Sequence, residues 1–180
     1  MGGQAPTLMA VDEFLARDDG TETRYELADG VIHAMSPPGG AHRTIVVNSA
    51  AVLYNALRGR RPCRGEAEAG LRIDERTMWQ ADLAVTCGPA ALEIIDPSLV
   101  IEVLSPSTRT HDLGRKLIDY KTLPSVAEIW MVDSERRWVQ HWRRDSSGWL
   151  GQDFVGNADF ESPTLDGRVA LDEIYADSGV

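Results

Sequence analysis

Apolar positions along the chain recur at two periods, one helical and one strand-like. Over residues 41–58, Val46, Ala50, Leu53 and Leu57 fall at helical spacing, which predicts a helix with one packed face. Residues 8–17 predict a shorter helix with Thr7 as its N-cap. In "RYELADGVIHAM", two short strand candidates flank Asp29-Gly30, a two-residue hairpin signal. "SPPGG" then reads as a loop. Residues 66–73 and 81–87 predict strands, and residues 98–104 a third, ended by Ser105-Pro106. Thr110 is placed to cap a helix over 111–122. "AEIWMVD" (127–133) and "RWVQHWRR" (137–144) predict a further strand pair. The Gly-, Asp- and Ser-rich remainder predicts an edge strand or two and a short terminal helix.

Strand 98–104, helix 111–122 and strand 127–133 predict a right-handed parallel crossover, and hence an α/β sandwich around a mixed sheet. The length of 180 residues suits a single domain, and 43% hydrophobic residues suffice for a core. No apolar run approaches the roughly 18 residues that a membrane helix needs, and the first ten residues lack the pattern of a signal peptide. Cys63 and Cys87 lie far apart and make no metal spacing, so a reduced, cytoplasmic protein is the expectation. The net charge of −10 argues against strong non-specific nucleic-acid binding. It does not exclude a nuclease, whose site is itself acidic. Arginines group at 58, 60, 61 and 64, and again at 136, 137, 143 and 144; solvated loops and strand edges are the expected setting.

One carboxylate does not fit its surroundings. Glu102 sits between Val100, Ile101, Val103 and Leu104, in a run that reads as a strand buried on both faces. A carboxylate there is costly unless it is paired, hydrogen-bonded or bound to a metal. Three other residues acquire interest beside it. Asp82 stands where a polar loop becomes the apolar strand "ADLAV", and Glu26 lies between Tyr25 and Leu27. Lys116 is four residues after Asp112 and four before Tyr120, so these share a helix face. Singly, Asp82 could bond a loop amide, Glu26 could face solvent and Lys116 could pair with Asp112. Together, two carboxylates on neighbouring strands can hold one hard cation, and Mg²⁺ fills its remaining positions with water and substrate phosphate.

These residues resemble the pattern of the PD-(D/E)XK nuclease superfamily. Within it the chain is similar to the Uma-two family of restriction endonucleases, over roughly residues 7–145. The pieces that carry the likeness are "TLMAVDEFL", "YELADGVIHAM", "AHRTIVVN", "ADLAV", "LVIEVLSPST" and "HDLGRKLIDYKTLPSVAEIWMVD". The resemblance implies a restriction-endonuclease-like core, a mixed β-sheet flanked by helices. It puts the metal carboxylates at Asp82 and Glu102, with the Val103 backbone carbonyl as a further ligand, and an additional acidic residue at Glu26. The lysine that gives the superfamily its name would follow Glu102 by two positions, where Leu104 stands. The resemblance implies that its role has moved to Lys116, with Tyr120 after it on the same face. His42 matches a histidine common in the family and fits a core or capping role as well as a phosphate contact; His42 and Tyr120 are the candidates for substrate contact. Ala81 replaces the usual proline before Asp82, a change of backbone shape rather than of ligand.

The function expected is a Mg²⁺-dependent endonuclease, with Mn²⁺ as the alternative cation, that hydrolyses phosphodiester bonds of DNA. Asp82, Glu102, Lys116 and Glu26 would be its catalytic residues. The rival is a nuclease fold that no longer cleaves and serves in binding or assembly; a third reading is a hydrolase of small phosphate esters. A duplex cutter needs two sites or two successive events, so a homodimer is compatible with the reading.

Overall fold

A computed structural model of the chain describes residues 8–106 and 109–180. Helix α1 (Val11–Leu15) starts from Ala10, whose N–H bonds the Glu13 carboxylate; Thr7, expected as its cap, lies outside the described residues. Strands β1 (Tyr25–Ala28) and β2 (Val31–Ala34) form the expected hairpin. Asp29 and Gly30 have φ of 49° and 81°, the left-handed pair that a two-residue turn with the sheet's own twist requires. Gly30 is doubly constrained, because a Cβ there would lie 2.8 Å from the Leu8 Cβ. Helix α2 (Gly40–Leu57) buries Ile45, Ser49, Leu53 and Leu57. Strands β3 (Arg64–Arg72), β4 (Met78–Thr86) and β5 (Pro97–Leu104) follow.

The chain then crosses over through one helical run in three parts. These are α3 (Arg109–His111), a π-helical turn (Asp112–Lys116) and α4 (Leu117–Thr122). The run starts earlier than Thr110 would dictate. Arg109 N–H already bonds the Ser105 carbonyl, so Thr110 is inside the helix and not its cap. Strands β6 (Glu128–Asp133), β7 (Trp138–Asp145) and β8 (Gly148–Val155) complete the main sheet. A small ribbon, β9 (Asp159–Ser162) and β10 (Gly167–Ala170), precedes helix α5 (Leu171–Ile174).

The sheet runs β2-β1-β4-β5-β6-β7-β8, with β3 paired to the other edge of β4. β5 and β6 are parallel, as the intervening helix requires, and the neighbouring pairs are antiparallel. One face packs against α2, α5 and the ribbon through Leu53, Leu83, Ile101, Val103 and Trp130. The other packs against α4 through Ala84, Val100, Leu104, Leu117 and Tyr120.

The sheet has an opening at its middle. The β4–β5 ladder ends at Leu83–Ile101, while β1 touches β4 only at Leu27–Met78. Residues 79–82 therefore lack a ladder partner on that edge, and side chains fill the gap.

The free thiols expected from the sequence are corrected by the fold. The register that pairs Arg64 with Thr86 brings Cys63 beside Cys87, and the two form a disulfide. The expectation of a reducing compartment thus loses its basis in the cysteines. No helix among the described residues is long and apolar enough to cross a membrane.

Candidate functional site

The gap between β1, β4 and β5 is closed by carboxylates. Glu26 on β1 accepts the Gln80 N–H of β4 at 3.0 Å. Asp82 on β4 accepts the Val103 N–H of β5 at 2.7 Å. Each thus satisfies a backbone donor that the interrupted ladder leaves unpaired. Asp82 also lies 3.3 Å from His42 Nε2 on α2. Glu102 points to the α4 side, where the Tyr120 hydroxyl donates to its Oε1 at 2.5 Å.

Lys116 enters this group from the crossover. Its Nζ lies 2.6 Å from Glu26 Oε1, 3.3 Å from Glu102 Oε1 and 3.7 Å from Asp112 Oδ1. The reading of Lys116 as merely the helical partner of Asp112 is therefore insufficient, because Asp112 is the most distant of the three. The π-helical turn over Asp112–Lys116 turns both side chains inward, leaving each 4% exposed. Such turns recur at functional sites because they re-aim side chains within a helix. The sequence alone does not mark Asp112 as a site residue. Its spacing from Lys116 was the available signal, but that spacing fits a solvent-facing pair equally well.

Burial is the largest influence on the Glu102 carboxyl and raises it; Lys116 opposes the rise and the Asp82 and Asp112 carboxylates add to it, with a net value of about 8. Burial works against the charge on Lys116, yet Glu102, Glu26 and Asp112 outweigh it and hold the ammonium above the usual lysine range. Burial and the Glu102 charge both raise the Tyr120 phenol. Tyr120 is 0% exposed, so it positions Glu102 from behind and does not present the substrate contact expected of it.

In front of these groups is a cavity of about 360 Å³. Glu26, Asp82, Glu102, Asp112 and Lys116 line it together, with His42, Val103 and the Ser36–Pro38 loop at its walls. Four carboxylates thus face Lys116 and Arg24. A rigid clamp holds the crossover in place below: Arg115 bonds both oxygens of Asp29 at 3.0 Å, and Asp119 accepts Arg115 and the Trp79 indole N–H, each at 2.9 Å.

No three His, Cys, Asp or Glu side chains among the described residues form a ready metal cage. The excess of carboxylate oxygens suits a cation bound by one or two carboxylates and mostly by water, as Mg²⁺ is, better than one enclosed by protein. A larger cavity, about 840 Å³, lies between α2 and β3, but Glu66 is the carboxylate it presents. The grouped arginines are exposed or half-buried, in keeping with the solvated setting expected of them, and several also brace neighbouring segments. Arg60 bonds the Leu165 carbonyl, Arg64 the Gly88 carbonyl and Arg136 the Asp133 carboxylate. Lys121 lies over Trp142, outside the cavity lining.

Known proteins resemble this chain in sequence or in fold. The chain is 27% identical over 173 residues to the uncharacterized protein slr1290 of Synechocystis, covering 93% of this chain and 91% of that one. It is 21% identical over 170 residues to sll1609 of the same organism, covering 86% and 92%. The crystal structure of "a putative nuclease belonging to DUF820" from Anabaena variabilis superposes with a TM-score of 0.78 at 19% identity, over 93% of this chain and 98% of that one, so the two share a fold. A family model described as "Putative restriction endonuclease" matches residues 11–172, through the C-terminal ribbon and beyond the motifs that carry the resemblance. By that match, which spans the interrupted sheet and every carboxylate of the cavity, the chain belongs to the Uma2 family.

Proposed function

We propose that this protein is a metal-dependent endonuclease that hydrolyses phosphodiester bonds of DNA, and that the cytoplasm is where it meets that substrate. The observation that supports this reading is the convergence of Glu26, Asp82, Glu102 and Asp112 around Lys116 at one cavity. Lys116 is a single positive charge among these four carboxylates, which leaves oxygen donors and net negative charge at the cavity for a cation to meet. Asp82, Glu102 and the Val103 carbonyl would supply hard oxygen donors to Mg²⁺ or Mn²⁺. Such a cation, when bound, lowers the pKa of a water ligand and offsets charge on the phosphoryl group.

The protein's own groups divide the remaining work. Tyr120 fixes the rotamer of Glu102, and Val103 N–H and His42 fix Asp82. Lys116 keeps a proton at Nζ and presents a positive charge where negative charge develops on the phosphate. Glu26 holds Lys116 in that orientation at 2.6 Å. His42 stands at the cavity wall, in reach of a substrate phosphate.

The test is incubation of the purified protein with plasmid and with single-stranded DNA, in Mg²⁺, Mn²⁺ or EDTA. Cleavage in either cation and none in EDTA is expected. Absence of cleavage under all conditions, with DNA binding retained, would establish the binding-module reading instead.

Lys116→Ala is expected to slow cleavage about a hundredfold, the scale for loss of one positioned charge stabiliser. The variant also loses the cation shared by three carboxylates, so its rate is measured at a temperature where circular dichroism shows it folded. A rate equal to the wild type would remove Lys116 from the mechanism.

A further inference from the structure

The larger cavity, of about 840 Å³, falls within the roughly 300–1,000 Å³ of small-molecule sites. Leu53 and Leu57 of α2 and Leu83 of β4 give it an apolar wall. Tyr54 lines it as well and is 68% exposed, so its ring borders both the cavity and solvent. Arg58, Arg61 and Arg64 line the same space. Arg64 is engaged: it donates to the Gly88 carbonyl and pairs at 2.5 Å with Glu66, the carboxylate of this lining. No carboxylate among the described residues pairs with Arg58 or Arg61.

The carbonyl end of α2 attracts cations whatever their use. That accounts for arginines gathering after Leu57, but not for two of them lining one cavity without an anion. The segment that carries them is held in place. Arg60 N–H bonds the Leu57 carbonyl at 2.9 Å, and Cys63 N–H bonds the Arg60 carbonyl at 3.0 Å. The Arg60 guanidinium reaches the Leu165 carbonyl at 2.7 Å, and the bridge to Cys87 ties the end of the segment to the residue after β4. Two guanidinium groups on a fixed segment suit a phosphate, which they meet in bidentate fashion. An exposed aromatic ring beside leucines suits a flat apolar group, such as a base.

We propose that this cavity is a nucleotide-binding site, where Arg58 and Arg61 hold the phosphate and Tyr54 stacks on the base. The nucleotide has two possible sources: a free nucleotide, or one unit of a single strand. Leu83 of this cavity directly follows Asp82 of the acidic one, so the two sites are neighbours. No Asn, Gln, Ser or Thr among the described residues lines the cavity, so binding is indifferent to the identity of the base. The inference does not depend on cleavage at the acidic cavity.

The experiment titrates the full-length protein by calorimetry in EDTA, which keeps binding separate from any metal-dependent cleavage. AMP is the probe in one arm and a short 5′-phosphorylated oligothymidylate in the other, with adenosine and inorganic phosphate as controls. Binding with a Kd below about 1 mM is expected in at least one arm. Oligonucleotide binding at least about tenfold tighter than that of AMP identifies a strand as the source; otherwise the source is the free nucleotide. Adenosine and inorganic phosphate should each bind at least about tenfold more weakly than the better probe. Arg58→Ala and Arg61→Ala should each weaken binding about tenfold, the scale for loss of a charged hydrogen-bond donor. Tyr54→Ala should do the same, while Tyr54→Phe keeps the ring and stays within about twofold. All three side chains are exposed, and circular dichroism checks that the variants fold. No binding in either arm, inorganic phosphate binding as tightly as the probes, or affinities that the arginine variants leave unchanged would each overturn the proposal.

Discussion

Glu102→Gln is expected to reduce metal-dependent cleavage at least about a thousandfold, to the limit of a plasmid assay. The amide preserves the shape of the side chain and can still accept from Tyr120 and Lys116. It removes the negative charge that would hold a cation beside Asp82. Stability should be unchanged or improved. In the metal-free protein, burial and the Asp82 and Asp112 carboxylates penalise the Glu102 charge, and Lys116 compensates in part. The signature is thus lost activity with an unchanged or raised melting temperature. Equal cleavage rates for variant and wild type would refute the assignment of Glu102 as a metal carboxylate.

Glu128→Ala should destabilise the fold by roughly 3–5 kcal/mol, the scale for leaving several buried donors without their shared acceptor. Glu128 is 0% exposed and serves four donors. The Trp130 indole lies at 2.7 Å, His141 Nε2 at 2.8 Å, the Ser162 hydroxyl at 2.9 Å and the Thr164 N–H at 3.0 Å. The last two come from the C-terminal ribbon, so this carboxylate fastens that ribbon to β6 and β7. Truncation would leave all four donors facing an apolar void. Chemical denaturation measures the loss; a change below about 1 kcal/mol would show that water replaces the carboxylate.

Glu128 also predicts a pH dependence with a definite sign. Burial pushes its carboxyl up, but the bonds from His141, Trp130 and Thr164 more than reverse this and hold it below the ordinary 4.5. The unfolded chain therefore binds this proton more readily than the folded one. The contribution of Glu128 is fully present above pH 4.5 and is lost as pH falls through the lower folded value. Glu128→Gln should flatten that part of the stability profile.

The sequence carried more of the fold than of the site. The periods that distinguish helix from strand located α2, the Asp29-Gly30 hairpin, β5 and the crossover to β6, because each is a local consequence of side-chain alternation or turn chemistry. Glu102 was legible for a related reason: five consecutive positions implied burial on both faces, and a carboxylate there needed a partner. Glu128 was not. It stands at the start of an apolar run, and its donors lie up to 36 residues away, joined only once the ribbon folds back.

The tertiary structure alone decided the rest. The opening between β1, β4 and β5 follows from which strands β4 pairs with along its length, a property of the whole sheet and of no single segment. That opening gives Glu26 and Asp82 their backbone partners. The inward turn of Asp112 depends on a π-helical turn, whose residues DLGRK fit an ordinary helix as well. The Cys63–Cys87 bridge depends on the β3–β4 register, which places neighbours 24 residues apart side by side. Local sequence fixes the faces that residues share within one element. Pairings between elements are chosen by the combined burial and hydrogen bonding of the whole chain, and it is these pairings that bring Glu26, Asp82, Glu102, Asp112 and Lys116 to one cavity.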